Sequence, residues 1–181
     1  MKKMFLLFFS GKVFGPGVVF QSTFQAGHTR RIDDKSVTLS DMFYLGGPLS
    51  VRGFDMRGLG PVSEGHSTGG LTYWATGLHL YTPLPFKRRP EGQPGFGDLF
   101  RTHTFVTAGN LMPAFAYSPR KSVGQNVDEA IRNFRLSYGI GLVMSLGGIA
   151  RVEINYCCPL RAQKGDRLAH GLQVGVGMDF L

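Results

Sequence analysis

The sequence predicts an all-β fold, in which an antiparallel sheet forms part of a transmembrane β-barrel. Apolar and polar side chains alternate with a period of two in runs of about ten residues, the length of a tilted strand that spans a membrane. The chain is 43% hydrophobic and 12% aromatic but only 18% charged, whereas soluble domains average about 25% charged residues. Its apolar stretches are well short of the roughly 18 residues that a transmembrane helix needs.

Six strands follow from this alternation. The predicted strands cover residues 18–27, 71–82, 103–111, 135–146, 149–158 and 171–180. In the fourth strand, for example, Tyr138 and Ile140 share one face, and Ser137 lies on the opposite face. The same alternation also describes a half-buried soluble sheet, so the pattern alone leaves a lipid-facing barrel and a soluble barrel open.

Strand counting favours a partial barrel. Six strands spaced about 4.8 Å apart and tilted by about 40° give a cylinder of about 12 Å diameter, which side chains would overfill. Single-chain membrane barrels begin at about eight strands, and lipid does not tolerate open sheet edges. We therefore expect the chain to form an arc of a larger barrel, completed by other strands.

The first sixteen residues differ from the rest. They begin MKKMFLLFFSGKVF, a basic pair and a short apolar run without an A-x-A-like cleavage site. We expect residues 1–16 to lie outside the barrel pattern and residues 17–181 to form the barrel part.

Charge and side-chain spacing point away from several functions. The net charge is +8, but the basic residues are clustered between apolar stretches, at 87–89 and 161–167 for example, as expected for turns beside a membrane or an anionic partner. No nucleic-acid-binding module is recognisable. The five histidines and the adjacent Cys157 and Cys158 lack metal-ligand spacing, and no nucleophile motif is present. We predict no nucleic-acid partner, no metal, no cofactor and no catalytic residue.

A long loop, residues 28–68, separates the first two predicted strands. Its centre, YLGGPLSVRGFDMRGLGP, has no strand or helix period, but it concentrates large apolar side chains. Disordered linkers seldom do so, and long irregular segments inside compact folds are usually functional. We expect this loop to fold against another part of the protein.

Within the loop, Val51-Arg52-Gly53-Phe54 resembles the V-R-G-F/Y motif in the sixth loop of the Omp85 superfamily. The flanking segments YLGGPLSVRGF, GGLTYWATGLHLYTPLPF and GFGDLFRTHTFVTAGNL resemble the mitochondrial branch, the barrel subunit of the sorting and assembly machinery. The resemblance runs from about residue 17 to residue 181. It implies a sixteen-stranded barrel with a POTRA domain, of which this chain contributes the last six strands.

The last strand, within residues 171–181, carries a second family pattern. Gln173-x-Gly175-x-x-Met178-x-Phe180 resembles the β-signal by which barrel precursors are recognised for membrane insertion. Met178 and Phe180 share the predicted outward face, and Gly175 would allow another backbone to approach closely.

The resemblance also implies a role for Arg52. In the family the loop folds back into the barrel, its arginine docks on the inner wall, and here Gly53 would form the tight backbone with Phe54 packed beneath. The partner strand of the family reads F-x-D-x-G, but this chain has Thr107 in place of the acid. Our hypothesis is that Arg52 is held by Thr107, Glu153, Asp179 or backbone carbonyls, because an unpaired buried charge is costly.

The function implied by the resemblance is insertion of β-barrel precursor proteins into the mitochondrial outer membrane by strand pairing at a lateral seam. The implied partners are the precursors, metaxin-like accessory subunits and membrane lipid. Four alternatives stay open: a bacterial-type Omp85 assembly or secretion translocator, an inactive barrel fragment, a passive pore and a soluble lipid-binding barrel.

Overall fold

The computed structural model describes residues 2–14, 17–30, 39–84, 99–112, 131–146 and 150–178. In chain order its strands are β1 (Lys2–Phe14), β2 (Val18–Arg30), β3 (Val62–Ser63), β4 (His66–Ser67), β5 (Thr72–Pro83), β6 (Phe100–Met112), β7 (Arg135–Leu146), β8 (Ala150–Arg161) and β9 (Gly171–Met178). A 3-10 turn covers Leu39–Asp41. Within these ranges, no helix is long and apolar enough to cross a membrane.

Seven of the strands form one antiparallel sheet in the order β1-β2-β5-β6-β7-β8-β9. Each long strand pairs with the next long strand along the chain, as in an up-and-down barrel. Strands β1 and β9 are the two edges of this sheet in the described part of the chain. The all-β, partial and open barrel predicted from the sequence is therefore confirmed.

The two faces of the sheet differ as the alternation predicts. In β7, Tyr138, Ile140 and Leu142 are 45%, 55% and 45% exposed, whereas Ser137 and Val143, which flank them, are buried. Strand β8 repeats this pattern with exposed Ile154 and Tyr156. The convex face is apolar and open while the concave face is polar and covered, which is the arrangement of a strand wall that faces hydrocarbon.

The expectation that residues 1–16 lie outside the barrel pattern is wrong. Lys2–Phe14 is a strand of the sheet. It pairs with β2 along its whole length, from Lys2↔Arg30 to Phe14↔Val18. The alternation was missed because the apolar run MFLLFF has no period of two. Consecutive side chains Leu6, Leu7 and Phe8 are all more than half exposed at this edge, so no burial constraint enforces alternation. The sheet thus has seven strands, one more than expected.

The core lies between the loop and the concave face of the sheet. Loop residues Leu45, Val51, Phe54 and Leu59 are buried together with β5 and β6 side chains. The sheet residues of this cluster are Tyr73, Ala75 and Leu111. The expectation that the loop folds against another part of the protein is confirmed, since the loop supplies four of the seven buried residues in this cluster.

Candidate functional site

The site is built around the loop, whose neck is closed by backbone pairing. The N–H of Phe43 donates to the carbonyl of Gly70 at 2.8 Å, and the N–H of Gly70 donates back to Phe43 at 2.9 Å. Further in, Leu45 and Leu59 form a second antiparallel bridge. The segment between them therefore projects into the concave side of the sheet as one closed hairpin-like unit, with Val51-Arg52-Gly53-Phe54 at its far end.

The motif backbone depends on Gly53. This residue has φ 81°, in the left-handed region that favours glycine. A Cβ at this position would also lie 3.2 Å from the Cβ of Ser137 and 3.4 Å from the Pro159 ring. A glycine therefore lets the loop backbone approach the wall formed by β7 and β8.

Arg52 reaches Glu153 of β8, one of the three candidate partners. The guanidinium Nη2 lies 2.6 Å from Oε2 of Glu153, and the two side chains are 4% and 0% exposed. The guanidinium also lies 5.0 Å from the centre of the Phe105 ring. Arg151 Nε sits 2.8 Å from the other carboxylate oxygen as an ion pair, although it lacks hydrogen-bond geometry. One carboxylate thus holds two arginines.

Thr107 and Asp179, the other two candidates, are placed differently. The hydroxyl of Thr107 lies 2.8 Å from that of Ser137, and the Ser137 hydroxyl donates to the carbonyl of Arg52. Thr107 therefore supports the main chain of the motif and not the guanidinium. Asp179 lies outside the described residues.

Glu153 belongs to a buried polar chain that the sequence did not reveal. Asn155 Nδ2 donates to Glu153 Oε2 at 2.9 Å, and its Oδ1 lies 2.9 Å from Nδ1 of His103. Nε2 of His103 lies 3.0 Å from Nδ1 of His79. Because the amide oxygen accepts, this orientation of Asn155 assigns the proton to Nδ1 in both histidines. The sequence signals this polar chain only by placing each of these residues on the inward-facing side of its strand.

Glycines in β7 make room for that chain. Gly139 is paired directly with Phe105, and Gly141 is paired with His103 on one side and Asn155 on the other. A methyl group at Gly139 would overlap the Phe105 ring, and one at Gly141 would overlap the Asn155 amide. The side chains of β6 therefore cross over β7 to reach β8. Among the residues described, no three His, Cys, Asp or Glu side chains are grouped to hold a metal ion.

The last strand also holds the loop, through residues that the sequence assigned to a β-signal. Oε1 of Gln173 accepts the N–H of Gly53 at 2.8 Å, and Nε2 donates to the carbonyl of Phe54 at 3.0 Å. A Cβ at Gly175 would lie 3.2 Å from both Pro48 and Leu49. The backbone of Met178 pairs with Ala150 of β8. Phe180 lies outside the described residues.

The turn between β8 and β9 supplies a further clamp that sequence reasoning missed. Its backbone forms hydrogen bonds with the loop, from Ala169 N to Gly53 O and from Asp55 N to Arg167 O, each 3.0 Å long. The buried carboxylate of Asp166 accepts the N–H of Gly60 at 3.0 Å and two bonds from Arg135, each 2.9 Å. The contacts with the loop join residues more than a hundred positions apart, so no local sequence pattern predicts them.

These features define an outer-membrane-type β-barrel protein. The antiparallel strands form an arc with an apolar outer face, and the arginine-bearing loop docks on the inner face. The chain belongs to the Omp85 superfamily, whose domain matches residues 9–180. This match confirms the resemblance drawn from the Val51-Arg52-Gly53-Phe54 motif. It begins within the stretch 1–16, in the strand β1 that the alternation did not reveal.

Named relatives of the chain carry the names of sorting and assembly machinery components. The chain is 52% identical over 164 residues to the human "Sorting and assembly machinery component 50 homolog", which covers 90% of this chain and 34% of that protein. It is 30% identical over 167 residues to the "Sorting assembly machinery 50 kDa subunit" of Saccharomyces cerevisiae, with 91% and 32% covered. The chain therefore spans about a third of the length of the curated relatives that it matches.

A bacterial structure shares the fold. The crystal structure of BamA from Haemophilus ducreyi lacking POTRA domains 1–3 matches with a TM-score of 0.74 at 19% identity, over 98% of this chain and 35% of that chain. At this identity the likeness concerns the fold alone, and it agrees with an open arc taken from a larger barrel.

Proposed function

We propose that the protein inserts and assembles β-barrel precursor proteins in the mitochondrial outer membrane, as part of a sorting and assembly machinery. The observation that carries the proposal is the docked loop, with Arg52 on Glu153, in a chain that is 52% identical to the human sorting and assembly machinery component 50 homolog. The motif residues Val51, Gly53 and Phe54 hold the loop against the wall, and Thr107 supports it through Ser137.

The proposed mechanism uses strand pairing at a seam beside β9. A precursor strand would add to the exposed edge of the last strand, with Gln173, Gly175, Met178 and Phe180 forming the pairing segment. Unmade backbone hydrogen bonds cost several kcal/mol each in hydrocarbon, so an open edge in lipid strongly favours pairing. This mechanism requires no catalytic side chain and no cofactor, because backbone pairing supplies the driving force.

The proposed partners follow from the two faces of the sheet. The convex face exposes apolar side chains such as Ile140, Ile154 and Val174, which suit membrane lipid. The precursor proteins meet the strand edge, and metaxin-like accessory subunits complete the machinery outside the lipid. The loop occupies the polar concave face, so the role of this face in the proposal is to hold the loop.

Depletion of the protein from cells tests this function. Mitochondria from depleted cells should integrate a radiolabelled β-barrel precursor several-fold more slowly, as measured by resistance to alkaline extraction, while import of a matrix-targeted precursor stays normal. Re-expression of this chain and native electrophoresis then report whether it enters a large complex. Normal integration after depletion would overturn the proposal, and release of the chain into the alkaline supernatant would favour an inactive fragment.

A further inference from the structure

We infer that Gln173 couples the inward loop to the last strand, so that the loop and β9 dock and detach together. The inference deepens the proposed function and rests on it in one respect, since β9 borders the seam in that mechanism. Gln173 is here a positioning residue, because its side chain acts on the loop backbone and only its main chain belongs to the pairing segment.

The first observation is the geometry of the Gln173 amide. It accepts the N–H of Gly53 and donates to the carbonyl of Phe54, at 2.8 Å and 3.0 Å. A primary amide offers a neutral acceptor and a neutral donor side by side. The Gln173 side chain therefore satisfies one backbone donor and one backbone acceptor of the loop at the same time, although it comes from the sheet wall.

The second observation is the close packing of the loop on the same face of β9. Gly175, two residues after Gln173, leaves space that Pro48 and Leu49 occupy. Gly177 continues this surface, with Leu49 at 3.5 Å from the position of a Cβ. Three successive inward positions of β9 thus contact the loop, so the loop covers much of the inner face of the strand.

The third observation is the position of β9 in the sheet. It is an edge strand in the described part of the chain and pairs with β8 alone. Contacts with the loop are therefore a large share of what holds β9 in place. By contrast, Ser137 on β7 and Glu153 on β8 bind the loop to interior strands, so they anchor the loop without reaching the edge.

Because coupling between two sites is reciprocal, loosening the loop must loosen β9 by the same factor through Gln173. This reciprocity distinguishes a residue that couples the loop to β9 from a residue that only anchors the loop. It can be tested with a loop anchor that is remote from β9, and Ser137 meets that requirement because two strand boundaries separate it from β9.

Hydrogen–deuterium exchange of the protein in its native membrane vesicles tests the inference. Gln173→Leu should speed amide exchange in residues 45–54 and in residues 172–176 by roughly tenfold, since it leaves a buried backbone donor unpaired. Gln173→Glu keeps the acceptor and loses the donor, so it should give a smaller increase in both segments. Strands β5 and β6 should be unchanged in either variant.

The matched control is Gln25→Leu, which changes a half-buried inward glutamine on β2 that lines a cavity shared with the loop but forms no hydrogen bond with the described loop residues. It should leave both segments at the wild-type rate. Ser137→Ala should speed exchange in the loop and in residues 172–176 together, but it should add nothing to β9 when Gln173 is already leucine.

Three results would overturn the inference. In the first, Gln173→Leu loosens the loop and leaves β9 unchanged, which makes Gln173 a mere anchor. In the second, Ser137→Ala has the same effect on β9 with or without Gln173. In the third, neither segment responds to Gln173→Leu. Exchange is read without any precursor, so these results are independent of the depletion experiment that tests the function.

Discussion

Arg52 in the loop and Glu153 in β8 form a buried ion pair across 101 positions of sequence. Arg151 shares the same carboxylate, so Glu153 neutralises two guanidinium groups inside the concave face. Removing one partner of a buried ion pair is more damaging than removing both, because the remaining charge stays desolvated. The loop is therefore held by a single acid whose loss cannot be compensated within the described cluster.

Glu153→Gln should release the loop from the wall. The amide keeps the size and one acceptor but leaves the buried Arg52 and the partly buried Arg151 unneutralised, a cost of about 3–5 kcal/mol. The change should expose the buried Arg52 to trypsin in membrane vesicles, with cleavage followed by mass spectrometry. Glu64→Gln, in the exposed β3–β4 turn, is the control. Equal protection in both variants would show that the ion pair does not hold the loop.

Gly53→Ala should destabilise the protein more than Gly65→Ala does. Both glycines have similar left-handed backbones, with φ 81° and 79°, so each substitution carries about 1–2 kcal/mol of backbone strain. Only Gly53 faces a neighbour, with Ser137 Cβ at 3.2 Å, whereas nothing lies within 4 Å of Gly65. The difference between their denaturant midpoints in detergent micelles measures the close approach of the loop, and equal midpoints would contradict that approach.

Asn155→Leu should break the polar chain at its centre. It leaves Nδ1 of His103 without its partner, at about 1–3 kcal/mol for a buried donor, and it removes one of the two hydrogen bonds to Oε2 of Glu153. Combining it with His103→Phe should cost less than the two single changes added together, because the residues belong to one network. Unfolding free energies of the four proteins form the cycle. Strict additivity would mean that the two side chains act independently.

Asp166→Ala should weaken the contacts that hold the turn between β8 and β9 against the loop. The carboxylate is fully buried and pairs with Arg135, which is 7% exposed, and it also accepts the N–H of Gly60. We expect a loss of about 3–5 kcal/mol, as for other broken buried pairs. Asp166→Asn, which retains an acceptor for Gly60, should lose less. A thermal unfolding series in detergent compares both variants with the wild type, and wild-type transitions in both would contradict the role of the carboxylate.

The strand faces were predictable because burial on one side imposes a period of two, as in β7 with Ser137 inward and Tyr138 outward. Strand β1 was not, since an edge strand exposed on both faces carries no such constraint. The inward position of Arg52 followed from a family motif, but the choice among Thr107, Glu153 and Asp179 required three-dimensional geometry. The contacts of Gln173 and Asp166 with the loop depend on pairing between distant segments, which no local pattern records.

Phe105 lies between the Gly139 backbone on the next strand and the Arg52 guanidinium, so positions 52, 105 and 139 form a three-layer stack. Substitutions at these three positions should therefore be correlated in evolution. A lineage that acquires a side chain at 139 needs a smaller residue at 105, and the arginine then loses the aromatic surface beneath it. Compensating changes should therefore co-vary at these three positions while the outward-facing neighbours on the same strands drift independently.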